Sequence, residues 1–252
     1  MTGPVFPSVQ GPSSRLLITL VVDTSESMTD GDAIGQLNRA LRRWRDDLRR
    51  ESRLCRIGEI ALVSFGVGGV TVVDPSGRSQ GPVAEPFVPV DDFDPPTLPA
   101  GGFSPLVAGV RRALAVTAAR RDRLAAAGVT MAYRPLVYLL TDGAPSDDRG
   151  GDDGSWPALA EELRRQEAAN ALLFFAFGVR GADERVLNAL APGAYQPIEG
   201  SDFPLLLKRV LHSIERVMSR RDQPASDVYA DVSRAAAEDE RTRRWFEEQG
   251  RR

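Results

Sequence analysis

Asp23-Thr24-Ser25-Glu26-Ser27 closes an apolar run, Leu16 to Val22, and a second apolar run, Leu136 to Leu140, closes in Thr141-Asp142-Gly143. Asp23 and Asp142, with the Ser25 and Ser27 hydroxyls, make a hard, all-oxygen set. Such a set suits magnesium, manganese or calcium and offers zinc or copper neither nitrogen nor sulfur. Magnesium gives up its waters reluctantly, so carboxylates, hydroxyls and waters would share its shell and leave one position exchangeable. Two carboxylates bring a dication near charge balance, and the ligand expected at the exchangeable position is an acidic side chain of another protein. An Asp-x-Ser-x-Ser string alone also describes ordinary turns, where these side chains bond nearby backbone. Its weight comes from the second acidic turn, placed after another buried strand.

Strands must hold these turns together. Arg15 to Asp23 reads as a buried strand, too apolar to alternate. A helix follows, with Ile34, Leu37, Leu41, Trp44 and Leu48 on one stripe and Arg39, Arg42, Arg43 and Arg45 on its solvated face. Ile57 to Phe65 reads as a second strand. Gly66, Gly68 and Gly69 then read as a hairpin turn into Val70 to Val73, because the Gly-Lys-Ser/Thr ending of a phosphate loop is missing. Proline crowds Asp74 to Pro99, leaving only Phe87 to Val90 as an extended piece. Ser104 to Leu124 reads as a helix, with Leu106, Val110, Leu114 and Thr117 on one side and Ser104-Pro105 as N-cap and first turn. Pro135 to Thr141 is the next strand. Helix Trp156 to Asn170, strand Ala171 to Phe177, helix Asp183 to Leu190, strand Ala194 to Ile198 and helix Phe203 to Met218 complete the alternation.

This order predicts a doubly wound α/β fold, Rossmann-like and mostly parallel, with helices on both faces and one antiparallel edge strand. In such sheets ligands bind beyond the carboxyl ends of the strands, where strand order reverses. Both acidic turns are expected there. Residues 1–14 read as a Pro/Gly/Ser-rich leader, 15–220 as the domain, and 221–252 as a charged helical appendage or a tail that orders on a partner. That last segment carries Val228, Tyr229, Val232 and the pair Trp245-Phe246, an anchor for a partner or a brace against the domain.

The 252 residues, 42% hydrophobic, suffice for a full core. A net charge of −3 gives no case for nucleic acid, whose binders show a basic face. The leader lacks the basic start and apolar stretch of a secretory signal, and no apolar run approaches the roughly 20 residues that span a bilayer. A cytoplasmic protein without membrane contact is the expectation. Cys55, the one cysteine, excludes an internal disulfide and reads as a buried thiol. His212, the one histidine, reads as a helix-surface residue with no catalytic set to join. The Asp147, Asp148, Asp152 and Asp153 loop reads as solvated, since its spacing misses that of a calcium loop.

Asp23-Thr24-Ser25-Glu26-Ser27-Met28 resembles the D-x-S-x-S signature of the metal-ion-dependent adhesion site in von Willebrand factor type A domains. Those domains complete the site with a threonine from a later loop and an aspartate after the fourth strand. Gly101-Gly102-Phe103-Ser104-Pro105-Leu106 and Leu140-Thr141-Asp142-Gly143 stand in the corresponding places, so the resemblance implies Ser104 as the third-loop hydroxyl. The stretch Arg134 to Asp148, with Trp156 downstream, is similar to the bacterial tellurite-resistance, TerY-like, type of this domain. The likeness covers about Arg15 to Ser219. Two residues depart from it: Glu26 stands where glycine is usual and is expected to face solvent, and Phe103 follows the glycines where many relatives keep threonine.

The resemblance implies a non-catalytic, divalent-metal-dependent protein-binding module of stress response or defence. Its relatives are associated with tellurium-resistance proteins, protein kinases and PP2C-type phosphatases. Two alternatives stand beside it. One is a magnesium-dependent phosphohydrolase or phosphotransferase with Asp23 as nucleophile, although Ser25 occupies the place of the second aspartate in a D-x-D signature and the only lysine is Lys208. The other is an adaptor for a AAA-type ATPase.

Overall fold

The computed structural model describes residues 14–249 except 80–82, 84, 148–149, 152–153, 180, 199, 201 and 220–222, with the backbone alone at 239–240 and 242–249. The leader before residue 14, the acidic residues Asp148, Asp152 and Asp153, and the Trp245-Phe246 side chains therefore lie outside the described residues.

Strand β1 (Ser14–Thr24) is buried almost throughout, and β2 (Gly58–Gly66), β6 (Leu136–Thr141) and β7 (Leu173–Gly178) are buried at every position. Continuous burial is what apolar runs without alternation require, because both sheet faces must be covered. With β3 (Gly69–Val73) and β8 (Tyr195–Pro197) the strands line up as β3-β2-β1-β6-β7-β8. All neighbours are parallel except β3, which returns antiparallel on β2 through Val67 and Gly68 as the edge hairpin. Two short strands were not separately expected or were longer in expectation: β4 (Val88–Pro89) pairs β2, and β5 (Thr130–Met131) pairs the start of β1.

Helices cover both faces. α1 (Ala33–Leu48) packs against α6 (Phe203–Ser219) on one side. There Tyr138 of β6 stacks on Phe175 of β7 at 5.1 Å and shares a 2.8 Å hydroxyl hydrogen bond with Ser213 of α6. α3 (Leu106–Ala126) lies on the other side, where the Thr117 and Thr19 hydroxyls meet at 2.8 Å. α4 (Trp156–Ala168) and α5 (Glu184–Leu190) pack beside β7. A six-residue helix, α2 (Ser52–Ile57), replaces the expected approach into β2 and carries Cys55. The cysteine is half-buried rather than buried, because it sits on this short helix and not inside β2; burial still pushes its thiol up to about 11. His212 lies on α6, partly exposed, beside the buried Ser213.

The proline-crowded segment is tied to α1. The Asn38 side chain donates to the Leu98 carbonyl (2.9 Å) and accepts from its N–H (2.8 Å), and Trp44 meets Phe93 edge to face. These bonds satisfy backbone that proline leaves without a ladder.

The residues after α6 form α7 (Ala225–Gln249), whose Val228, Tyr229 and Val232 are buried. Sheet geometry shows why α7 settles there. Leu173 N–H reaches Pro135 on one side of β7, so Phe174 N–H points to the other side, where β8 begins only opposite Ala176. The Tyr229 hydroxyl accepts that N–H at 3.0 Å and itself donates to Glu167. The same N–H also donates to Glu167 Oε1 at 3.1 Å, so Tyr229→Phe removes one of its two acceptors together with the hydroxyl donor to Glu167, at an expected cost of about 1 kcal/mol. Burial also raises the Glu167 carboxyl above its ordinary range, against the lowering influence of Tyr229, the Phe174 N–H and Arg134. Its contribution to stability is thus fully present below the unfolded value and lost as pH rises through the folded one. Urea unfolding followed across that window should show the slope in the wild type and not in Glu167→Gln.

Candidate metal centre

Strand order turns around at β1, whose neighbours are β2 on one side and β6 on the other. The register places Val22 opposite Leu140, so Asp23 and Thr141 come out side by side at the carboxyl end. Asp23 is wholly buried. Its Oδ1 accepts from the Ser25 N–H (2.8 Å) and the Ser25 hydroxyl (2.5 Å), and its Oδ2 from the hydroxyls of Thr141 (2.6 Å) and Ser104 (3.2 Å). The Ser27 hydroxyl donates to Asp142 Oδ1 at 2.7 Å and lies 3.1 Å from the Ser25 hydroxyl. Asp23, Ser25, Ser27, Ser104 and Asp142 are therefore joined in one hydrogen-bonded group.

Local backbone makes this convergence possible. Glu26 N–H donates to the Gly102 carbonyl and Gly101 N–H to the Thr24 carbonyl, both at 2.9 Å, which binds the first turn to the glycine loop. Gly66, at φ +141°, sits so close that a Cβ would lie 2.3 Å from the Thr24 carbonyl. Gly66→Ala should therefore cost about 1–3 kcal/mol in backbone strain alone, and circular-dichroism melting would read it. The glycine loop is held in turn from the third segment: Ser104 N–H donates to the Ser146 hydroxyl (2.7 Å), and Ser146 N–H to the Ser104 carbonyl (2.8 Å).

Ser104 is not a helix cap. Pro105, which has no side-chain acceptor, takes the N-cap place of α3, and the Ser104 hydroxyl is engaged by Asp23. Phe103, by contrast, points out and is half exposed. Glu26 is exposed, and Asp147 bonds its own loop through the Gly151 N–H. Thr141 and Ser146 join the group as well, and neither stands among the ligand types that the sequence motif marks. A threonine at the last strand position, next to a ligand-type aspartate and level with Asp23, is the signal that points to Thr141.

Electrostatics distinguish the cluster from a hydrogen-bonded turn. Burial raises the Asp23 carboxyl above its ordinary range despite the bonds from Ser25, Thr141 and Ser104 that lower it. Burial likewise pushes Asp142 up to about 6, with the charges of Asp23 and Asp30 adding to the shift and the Ser27 bond opposing it. Among the described residues, no arginine, lysine or histidine pairs with either carboxylate. Two adjoining buried acids without a counter-charge favour a proton or a cation. The hydroxyl and carboxylate oxygens fit a hard dication. Among the described residues no three His, Cys, Asp or Glu side chains gather at one place, so such an ion would depend on the serines.

No protein-family model and no curated protein matches the chain. Solved structures do resemble it in fold. The vWF domain of the type V pili tip protein Mfa5 from Porphyromonas gingivalis aligns at a TM-score of 0.50 and 10% identity, covering 80% of this chain and 95% of that one. The pilus adhesin SpaC from Lactobacillus rhamnosus GG aligns at 0.56 and 16%, covering 81% and 30%. Proximal thread matrix protein 1 from the mussel byssus aligns at 0.50 and 16%, covering 79% and 47%. The chain spans less than half the length of the latter two. The fold is that of a von Willebrand factor A-like domain: a mostly parallel, flanked sheet with one antiparallel edge. Among the described residues no helix is long and apolar enough to cross a membrane.

Proposed function

We propose that this chain is a non-catalytic, divalent-cation-dependent protein-binding module. Asp23, Ser25, Ser27, Ser104 and Asp142 would hold the ion, magnesium first and manganese or calcium as substitutes. When bound, the ion supplies one exchangeable position, which takes an acidic side chain of a partner protein. The observation that carries this reading is the pair of buried carboxylates that lacks any counter-charge among the described residues. Two neighbouring buried charges cost folding free energy that a bound cation would offset.

An enzymatic reading finds less support. Ser25 occupies the place of the second aspartate in a D-x-D signature, and its hydroxyl is bonded to Asp23 rather than free to serve as an acid or base. Lys208, the only lysine, stands exposed on α6. The likeness of residues 134–148 to TerY-like domains extends the proposal to a bacterial cytoplasmic setting and to kinase, PP2C-type phosphatase or tellurium-resistance partners. Affinity capture from lysate tests the core of it. Partners should be recovered with magnesium, and lost with EDTA or in Asp23→Ala/Asp142→Ala. Equal recovery in all of these contradicts the proposal.

A further inference from the structure

Among the described residues the exposed large apolar side chains are Val67 and Phe103, and both belong to the loops that enclose the Asp23 centre. Single apolar residues scattered over a surface need no explanation. These two are not scattered. Phe103 directly precedes Ser104, whose hydroxyl bonds Asp23, and Val67 follows Gly66, which presses on the Thr24 carbonyl. The loops touch: a Cβ on Gly101 would lie 3.2 Å from the Val67 side chain, and one on Gly102 2.9 Å from the Gly66 carbonyl. The Phe103 ring is held in place, since a Cβ on Gly150 would come within 2.6 Å of it, and Gly150 takes φ +81°. A fixed aromatic beside a charged centre is the composition of an interface hot spot.

The charges around the rim narrow the ligand further. Glu26 and Asp30 are exposed on the first turn, and Asp147 is exposed on the loop after β6. A partner carrying several acids would meet these carboxylates, whereas one acid seated on the ion would not.

Resting on the reading of the centre as an ion-dependent binding site, we infer that Val67 and Phe103 form an apolar rim selecting a partner segment with a single acidic residue and a large apolar residue beside it, rather than an acidic tract. Burying that apolar side chain against the rim should tighten binding by about tenfold or more.

Short glycine-serine peptides test this by fluorescence anisotropy in manganese. One holds a single aspartate, a second adds leucines flanking the aspartate, and a third replaces the flanks with glutamates. The leucine peptide is expected to bind about tenfold tighter than the single-aspartate peptide, and the glutamate peptide no tighter than it. Phe103→Ser and Val67→Ser should remove the leucine advantage while keeping the melting-temperature rise that manganese produces. Equal binding of the leucine and single-aspartate peptides, preference for the glutamate peptide, or a leucine advantage that survives both substitutions overturns the inference. Loss of the manganese response in the wild type instead counts against the ion site itself.

Discussion

Magnesium added to chelator-treated protein is expected to raise its melting temperature, and Asp142→Asn is expected to abolish the rise. An ion present at about a hundred times its dissociation constant stabilises the folded state by about 2.7 kcal/mol. In a chain of this length that is roughly 5–10 °C. Asp142→Asn preserves size and keeps an acceptor for the Ser27 hydroxyl, but removes the charge that burial and the neighbouring Asp23 oppose. In EDTA, therefore, the variant should melt no lower than the wild type. Scanning fluorimetry separates the possibilities. A rise of equal size in the variant would move the ion away from Asp142, and a lower melting point in EDTA would mean that the carboxylate serves packing alone.

The second large effect lies at the opposite end of the sheet. Glu59, near the start of β2, is almost fully buried and is gripped by Arg120 of α3 through two bonds of 2.7 and 2.8 Å, with Arg15 of β1 at 2.9 Å. Arg120 also reaches Glu85 at 3.2 Å. Arg120→Met would remove two of the three bonds to the buried carboxylate and leave it Arg15, at an expected cost of about 2–3 kcal/mol from the lost charge-assisted hydrogen bonds. Arg120→Met combined with Glu59→Met should recover most of that loss, since an apolar replacement of both partners is often close to neutral. Urea denaturation of the single and double variants measures it. The contrast with Asp23 and Asp142 is instructive: Glu59 is just as buried and has its counter-charges within the chain.

Sequence and structure agree where periodicity is strong. β1, β6 and β7 declare themselves as uninterrupted apolar runs, and the α1 stripe from Leu37 to Leu48 is buried as spacing predicts. Short elements leave no such trace. α2 has six residues, fewer than two turns, and β5 pairs only Thr130 and Met131 with β1, so neither has room for a period. The helical appendage beyond residue 220 was one of two readings, and its docking depends on a tertiary contact, Tyr229 with Phe174 N–H and Glu167, which no local pattern announces.

The centre was legible to a similar degree. Asp23 and Asp142 could be assigned to the strand ends from chain order, whereas Thr141 required the β1–β6 register and Ser146 required the loop contact to Ser104. Ser104 fits two local rules equally, helix cap and site hydroxyl. Only the three-dimensional position of Asp23 decides between them.

Calorimetric titration of the full chain with manganese addresses the central claim most directly. One ion should bind per chain in the wild type and in Glu26→Gln, whose side chain lies outside the centre, and none in Asp23→Ala/Asp142→Ala. Absence of binding in the wild type, or binding undiminished in the double variant, would contradict the account.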